Sequence, residues 1–152
     1  MESLKEGKPE VSLFVRIGVS HQGNIYALDF KKVLTKDGWK KSESLPKGFE
    51  TIIIKVRADK INKRAIVDIK TSSGDVRKRG LMKKKICDYK YDLSAALYFD
   101  IFSLLEEYVN LKDFIWIFIS KDDGATRVYR ASKMNILVGR AKYVTALRNI
   151  AP

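Results

Sequence analysis

Apolar and polar residues alternate along residues 50–72, ETIIIKVRADKINKRAIVDIKTS, in two β-rich runs on either side of Asn62-Lys63. Asn tolerates the left-handed backbone of a tight turn, so the pattern predicts a hairpin with Asn62 and Lys63 as its two-residue loop. That loop sets Asp59 opposite Ile66 and Arg57 opposite Asp68. With side chains alternating along each strand, Lys55, Arg57, Asp59, Asp68 and Lys70 share one face. Ile52, Ile54, Val56, Ala58, Ala65, Val67 and Ile69 form an apolar surface on the other.

The same reading extends along the chain. Residues 1–9 form a polar lead-in, and residues 11–17 (VSLFVRI) and 24–30 (NIYALDF) are strands joined by a Gly-containing loop that holds His21, expected at the surface. Residues 31–48 carry Lys, Ser, Gly and Pro around Trp39 and predict a basic loop. Asp92 predicts an N-cap for a helix over about 93–108, with Leu93, Ala96, Leu97, Ile101, Leu104, Leu105 and Tyr108 as its core stripe. Residues 113–120 (DFIWIFIS) are continuously apolar, as for a strand buried on both faces. KDDG is a turn, residues 126–130 a closing strand, and residues 132–149 a helix with Met134, Leu137, Val138, Ala141, Val144 and Leu147 inward and Lys133, Arg140, Lys142 and Arg148 outward. The order is β-β-β-β-α-β-β-α, a mixed sheet with helices of the α/β or α+β class. The passage from the Asp68 strand to DFIWIFIS permits a parallel crossover.

Composition narrows the function. The 152 residues suit one domain, and 45% hydrophobic residues suffice for a packed core. Thirty Lys and Arg against 18 Asp and Glu give a net charge of +12, which favours a polyanionic partner, nucleic acid before membrane. Cys87 is the single cysteine, so a disulfide framework and a Cys-based zinc site are both excluded. The charged MESLKEGKPE start carries no apolar signal region, and no run has the length to cross a bilayer. A soluble, intracellular protein is expected.

Candidate chemistry centres on the hairpin. Asp59 and Asp68 are expected as diagonal neighbours, about 7–8 Å apart at Cα. Two carboxylates converging from adjacent strands can hold a hard divalent cation such as Mg²⁺ against a substrate phosphate. Lys70, on the Asp68 side of its strand, can orient an attacking water or stabilise developing negative charge. The same residues also read as cross-strand ion pairs on a solvated face. Glu10 is either a third ligand or a solvated strand end. Between Val76 and Lys90, seven basic residues stand against Asp88 alone. Such a segment is either a solvated helix or a path for a phosphate backbone, with Arg77, Lys78 and Arg79 as the first candidates. Trp39 either stacks on a base or packs its loop onto the core.

The order of elements and these residues together resemble the PD-(D/E)xK nuclease superfamily, and within it the RecE-type phage and prophage exonucleases, relatives of lambda exonuclease. The likeness runs over about residues 9–149. PEVSLFVR resembles the family's Glu-bearing first strand, VRADKI its strand with the metal-binding Asp, and IVDIKTSS its (D/E)-x-K strand. YKYDLSAALYFD resembles its Tyr-aspartate helix start with a second Tyr following, and ILVGRAKYVTALRNI its closing helix. The resemblance implies a restriction-endonuclease-like mixed β-sheet flanked by helices, with residues 1–152 as one nuclease-like domain. It implies Mg²⁺, for which Mn²⁺ can substitute, held by Asp59, Asp68 and the backbone carbonyl of Ile69, with Glu10 binding directly or through water. Lys70 would be the catalytic lysine, and Tyr91 and Tyr98 would line the site or hold its helix.

The activity so implied is a Mg²⁺-dependent deoxyribonuclease, an exonuclease of phage-type DNA recombination. The alternative is a decayed nuclease fold that grips nucleic acid without cutting. The implied partners are DNA, a single-strand annealing protein and further copies of the chain, and the implied setting is the cytoplasm, that of the host cell if the chain is phage-encoded. Two departures stand out: Ser94 occupies the position where the family usually has Gln, and the upstream helical region of many relatives is missing.

Overall fold

In the computed structural model, which describes residues 7–151, the alternating apolar runs of the sequence fold into one eight-stranded mixed sheet. The strands are β1 (Lys8–Ser20), β2 (Ile25–Ala27), β3 (Lys32–Thr35), β4 (Gly38–Lys41), β5 (Phe49–Ile61), β6 (Ala65–Ser72), β7 (Asp113–Ser120) and β8 (Thr126–Arg130). The helices are α1 (Arg79–Asp88), α2 (Tyr91–Phe102) and α3 (Lys133–Ile150). Spatial order is β4-β3-β2-β1-β5-β6-β7-β8; β6 and β7 are parallel, and the other neighbours are antiparallel. The mixed α/β class expected from the sequence is the class observed. The first six residues of the polar lead-in lie outside the described residues, and no described helix is long and apolar enough to cross a membrane.

All three helices pack on one face. The main core joins Val15, Ile17, Ile54, Val56, Ile66, Trp116 and Phe118 from the sheet to Met82, Ala96, Phe102 and Tyr143 from the helices. The opposite face holds only a small cluster of Ala65, Val67 and Ile115 and leaves Phe14, Ile53 and Ile69 exposed.

Three expected elements come out differently. Residues 31–48 contain the β3–β4 hairpin, whose tight turn is closed by the Thr35 hydroxyl donating to the Gly38 carbonyl (2.8 Å). Trp39 sits on that hairpin and packs inward, its indole N–H donating to the Asp100 carbonyl at 2.8 Å. The second expected strand is only Ile25–Ala27, followed by a 3-10 turn over Leu28–Phe30. The helix expected to run to residue 108 stops at Phe102. There the Ser103 hydroxyl and the Trp39 indole both take the Asp100 carbonyl, and the Leu104 N–H turns to Ile101 instead. Leu104 and Tyr108 still reach the core, through a second 3-10 turn.

Asp92 is not an N-cap. The helix starts earlier, at Tyr91, behind Lys90, and Asp92 is buried with its carboxylate on Lys142 Nζ (2.7 Å). In α3, the Ser132–Asn135 capping box forms as such a sequence allows. Its buried side is Gly139, Arg140, Tyr143 and Leu147, whereas Met134 is 65% exposed and Leu137 and Val138 are exposed too. Arg140 and Gly139 cause this rotation. Arg140 is drawn inward by Asp100, and Gly139 lets the α3 backbone lie against α2, where an added Cβ would stand 2.0 Å from the Asp92 carbonyl oxygen. Gly139→Ala is therefore expected to destabilise by about 2–3 kcal/mol through forced separation of backbones, read by urea denaturation. A cost under about 0.5 kcal/mol would show that the two helices part freely.

Candidate active site

The hairpin loop is Lys63-Arg64, not Asn62-Lys63. Asn62 N–H donates to the Ala65 carbonyl (3.0 Å), and Asn62 Oδ1 accepts the N–H groups of Arg64 (2.8 Å) and Ala65 (2.9 Å). Asn62 thus acts through its side chain, as an Asx turn, and the register becomes Ile61↔Ile66 and Lys60↔Val67. Asp59 then falls opposite Asp68 rather than opposite Ile66.

A second irregularity decides the site. Ala58 and Ile61 are both buried in the main core although three residues apart, where strict alternation would put them on opposite faces. Across the ladder, Glu10 takes a positive φ of 50°. Side-chain alternation in β5 therefore breaks between Ala58 and Ile61, while the register with β1 is the same on either side of the break, Val11↔Ala58 before it and Pro9↔Lys60 and Lys8↔Ile61 after it. The single face expected from alternation is split by it. Lys55 and Arg57 stay on the open face, where Lys55 lies over the Phe14 ring at 5.4 Å. Asp59 turns to the helix-bearing side, which on β6 holds Ile66, Asp68, Lys70 and Ser72. Ala65, Val67 and Ile69 belong to the opposite face instead of the main core.

Beyond Lys60↔Val67 the two strands part. Asp59 Oδ2 accepts the Ile69 N–H at 2.8 Å, a donor that a continuing ladder would have given to the β5 backbone. In this fork Asp59 lies near enough to Asp68 to act on its carboxyl, and Lys70 Nζ sits 3.3 Å from Asp68 Oδ2. Side-chain exposure is 14% for Asp68 and 32% for Lys70, so the group is lined by protein but open to solvent. Beside them on β7, in parallel register, stand the fully buried Trp116 and Phe118. Burial pushes the Asp68 carboxyl up to about 6; the Lys70 charge opposes this, and Asp59 adds to it. Lys70 also lies over the Tyr91 ring of α2, 5.0 Å from its centre.

The remaining expected site residues separate. Glu10 is exposed and pairs with Arg57 at 2.9 Å, on the face away from Asp68. Ile69 lies within the fork through its backbone, its N–H already taken by Asp59. Tyr98 is half-buried against the core, and Ser94 is half-buried in the first turn of α2. Arg77 is held by Asp75 (2.8 Å) and Asp123 (3.6 Å), while Lys78 and Arg79 at the start of α1 are exposed. His21 is exposed, as expected. Lys85 received no individual reading from the sequence. It donates to the Ser72 hydroxyl (2.7 Å) and to the Ser73 carbonyl, fixing α1 on the end of β6.

Among the described residues no three His, Cys, Asp or Glu side chains converge. The side-chain donor set for a metal is therefore Asp59 and Asp68. It fits a hard cation: two carboxylates, hard oxygen donors, meet in the fork between β5 and β6, with solvent access for the waters that Mg²⁺ retains. No family model and no curated protein matches the chain. It is similar to the protein in the crystal structure of SSO0001, at 19% identity with a TM-score of 0.46, over 93% of this chain and 50% of that one. The chain thus spans half the length of that protein.

Proposed function

We propose that the protein is a Mg²⁺-dependent deoxyribonuclease of the PD-(D/E)xK kind, an exonuclease by its likeness to RecE-type enzymes. The observation that supports this best is the fork between β5 and β6, which gathers Asp59, Asp68 and Lys70 into one partly open cluster. Asp59 and Asp68 would hold the cation, which when bound supplies a nucleophile near neutral pH and offsets charge on the phosphate. Lys70 keeps its ammonium beside Asp68 and is placed to offset negative charge developing on an attacked phosphodiester. Tyr91 holds that ammonium in place from below.

The test is digestion of linear and circular duplex and single-stranded DNA with Mg²⁺, Mn²⁺ or excess EDTA. Loss of linear DNA alone, abolished by EDTA, is expected; cleavage that persists in EDTA would remove the metal from the reading. One observation favours the alternative of a nuclease fold that only binds: Glu10 faces away from the pair and is tied to Arg57. Under that alternative DNA is bound but stays intact in Mg²⁺. In either case the net charge of +12 predicts salt-sensitive binding, with log K falling by about 0.7–0.9 per phosphate contact for each decade of salt. A flat response between 50 and 200 mM salt in a fluorescence-anisotropy titration would contradict the use of the basic surface.

A further inference from the structure

We propose that Tyr89 is a stacking platform for an unpaired base, so that the strand reaching the carboxylate cluster is presented to it single-stranded. This rests on the nuclease reading of the cluster and adds a substrate class to it. Tyr89 directly follows α1 and is 62% exposed. Its ring lies 5.7 Å from that of Tyr91, tilted by 39°. Tyr91 in turn carries Lys70 on its face at 5.0 Å, and Lys70 reaches Asp68 at 3.3 Å. A continuous series of contacts thus runs from the carboxylates to one open aromatic ring.

The backbone between the two tyrosines is built to keep them together. Residues two apart on a helix do not face each other, yet these rings are neighbours, because Lys90 between them adopts a positive φ of 57°. A residue other than Gly, Asn or Asp rarely takes that conformation, and such strain concentrates at functional sites. Lys85, one turn before Tyr89, anchors this end of α1 through Ser72 and Ser73 at the end of the Asp68 strand. Tyr91 spends its ring on Lys70 and on Phe118, 6.2 Å away. Tyr89 keeps a face toward solvent, with the exposed Lys83, Lys84 and Lys90 close by in sequence to attract a backbone. A base inside a duplex is paired and stacked on both faces, so an unpaired base has the freest access to this ring, whatever its identity.

The test uses single-stranded oligodeoxynucleotides, intact or abasic over the last three nucleotides at both ends, and a blunt duplex of the same sequence, all with Mg²⁺. Tyr89→Ala is expected to lower kcat/KM on the intact single strand about 5- to 100-fold, the value of one base–aromatic stack. The abasic strand should already be slow with the unaltered protein and should not be slowed further by Tyr89→Ala. Tyr89→Trp should restore cleavage of the intact strand, and the blunt duplex should be the poorer substrate. Equal losses on intact and abasic strands would mean that Tyr89 only supports the fold and would overturn the proposal. If no DNA is cut at all, the nuclease reading fails separately. Stacking is then read from quenching of 2-aminopurine fluorescence in a bound single strand. Quenching lost in Tyr89→Ala supports the platform, and unchanged quenching overturns it.

Discussion

Arg140→Met is expected to destabilise the protein by about 3–5 kcal/mol, the cost of leaving one buried partner of an ion pair behind, and to lower Tm by roughly 6–20 °C. Asp100 is almost wholly buried, and Arg140 grips it with two donors, Nε and Nη2, each at 2.8 Å. The Tyr143 hydroxyl donates to the same carboxylate at 2.5 Å, and burial beside it pushes the Tyr143 phenol well above its ordinary range. The third guanidinium nitrogen donates to the Lys36 carbonyl at 2.6 Å, at the turn between β3 and β4. One carboxylate and one guanidinium therefore tie α2, α3 and the edge hairpin together, and methionine fills much of the space while removing the three guanidinium donors and leaving only the Tyr143 hydroxyl on Asp100. Replacing both partners, Asp100→Leu with Arg140→Met, should recover part of the loss: a buried pair exchanged for apolar groups is often nearly neutral, but the buried Tyr143 hydroxyl then loses its acceptor at a cost of about 1–3 kcal/mol. Thermal denaturation of the two single variants and the double variant completes the cycle. An Arg140→Met cost below 1 kcal/mol would mean that water reaches Asp100 once the guanidinium is gone.

This pair also shows where the sequence is readable and where it is not. β7 and β8 coincide with the runs expected at 113–120 and 126–130, because a strand buried on both faces and a strand after a Gly-containing turn are written in local composition. Arg140 looked like a solvated helix residue. Nothing within its own helix says that Asp100, forty residues earlier, will bury it, and charged residues are seldom fully buried unless paired. The β3–β4 hairpin was hidden for a similar reason: its strands are four residues each and lysine-rich, and its order comes from Trp39 reaching Asp100. The candidate site was half legible. Alternation brought Asp59, Asp68 and Lys70 to one patch, and they do meet. Period-two reasoning also adds Arg57 and Lys55, because it has no means of seeing a break in alternation between Ala58 and Ile61. The break shows in the fold alone, in Glu10 at positive φ and in the burial of both Ala58 and Ile61.

Its place on the helix-bearing face gives Asp68 both a cost and a use. Asp68→Asn is expected to lower Mg²⁺-dependent cleavage by about 10³-fold or more, since a metal-held phosphate receives several kcal/mol of charge stabilisation. Lys70→Ala should lose activity comparably while DNA binding persists. Yet the Asn variant, measured in EDTA at pH 8, should be more stable than the unaltered protein by about 1–3 kcal/mol. The sign follows from the titration. The carboxyl is raised from 3.8 to about 6 on folding, chiefly by burial, so above pH 6 the folded state carries an anion that the unfolded chain accommodates more readily. As pH falls below 6 the folded form takes up a proton first, and the difference shrinks until it is nearly gone at pH 4. Saturating Mg²⁺ should close the gap at pH 8 from the other side, because a cation bound only by the folded protein stabilises it by mass action. A variant that is inactive but no more stable at pH 8 would mean that the Lys70 charge already offsets the burial of Asp68. In that case the fork holds a settled ion pair, and a cation would gain little by entering it.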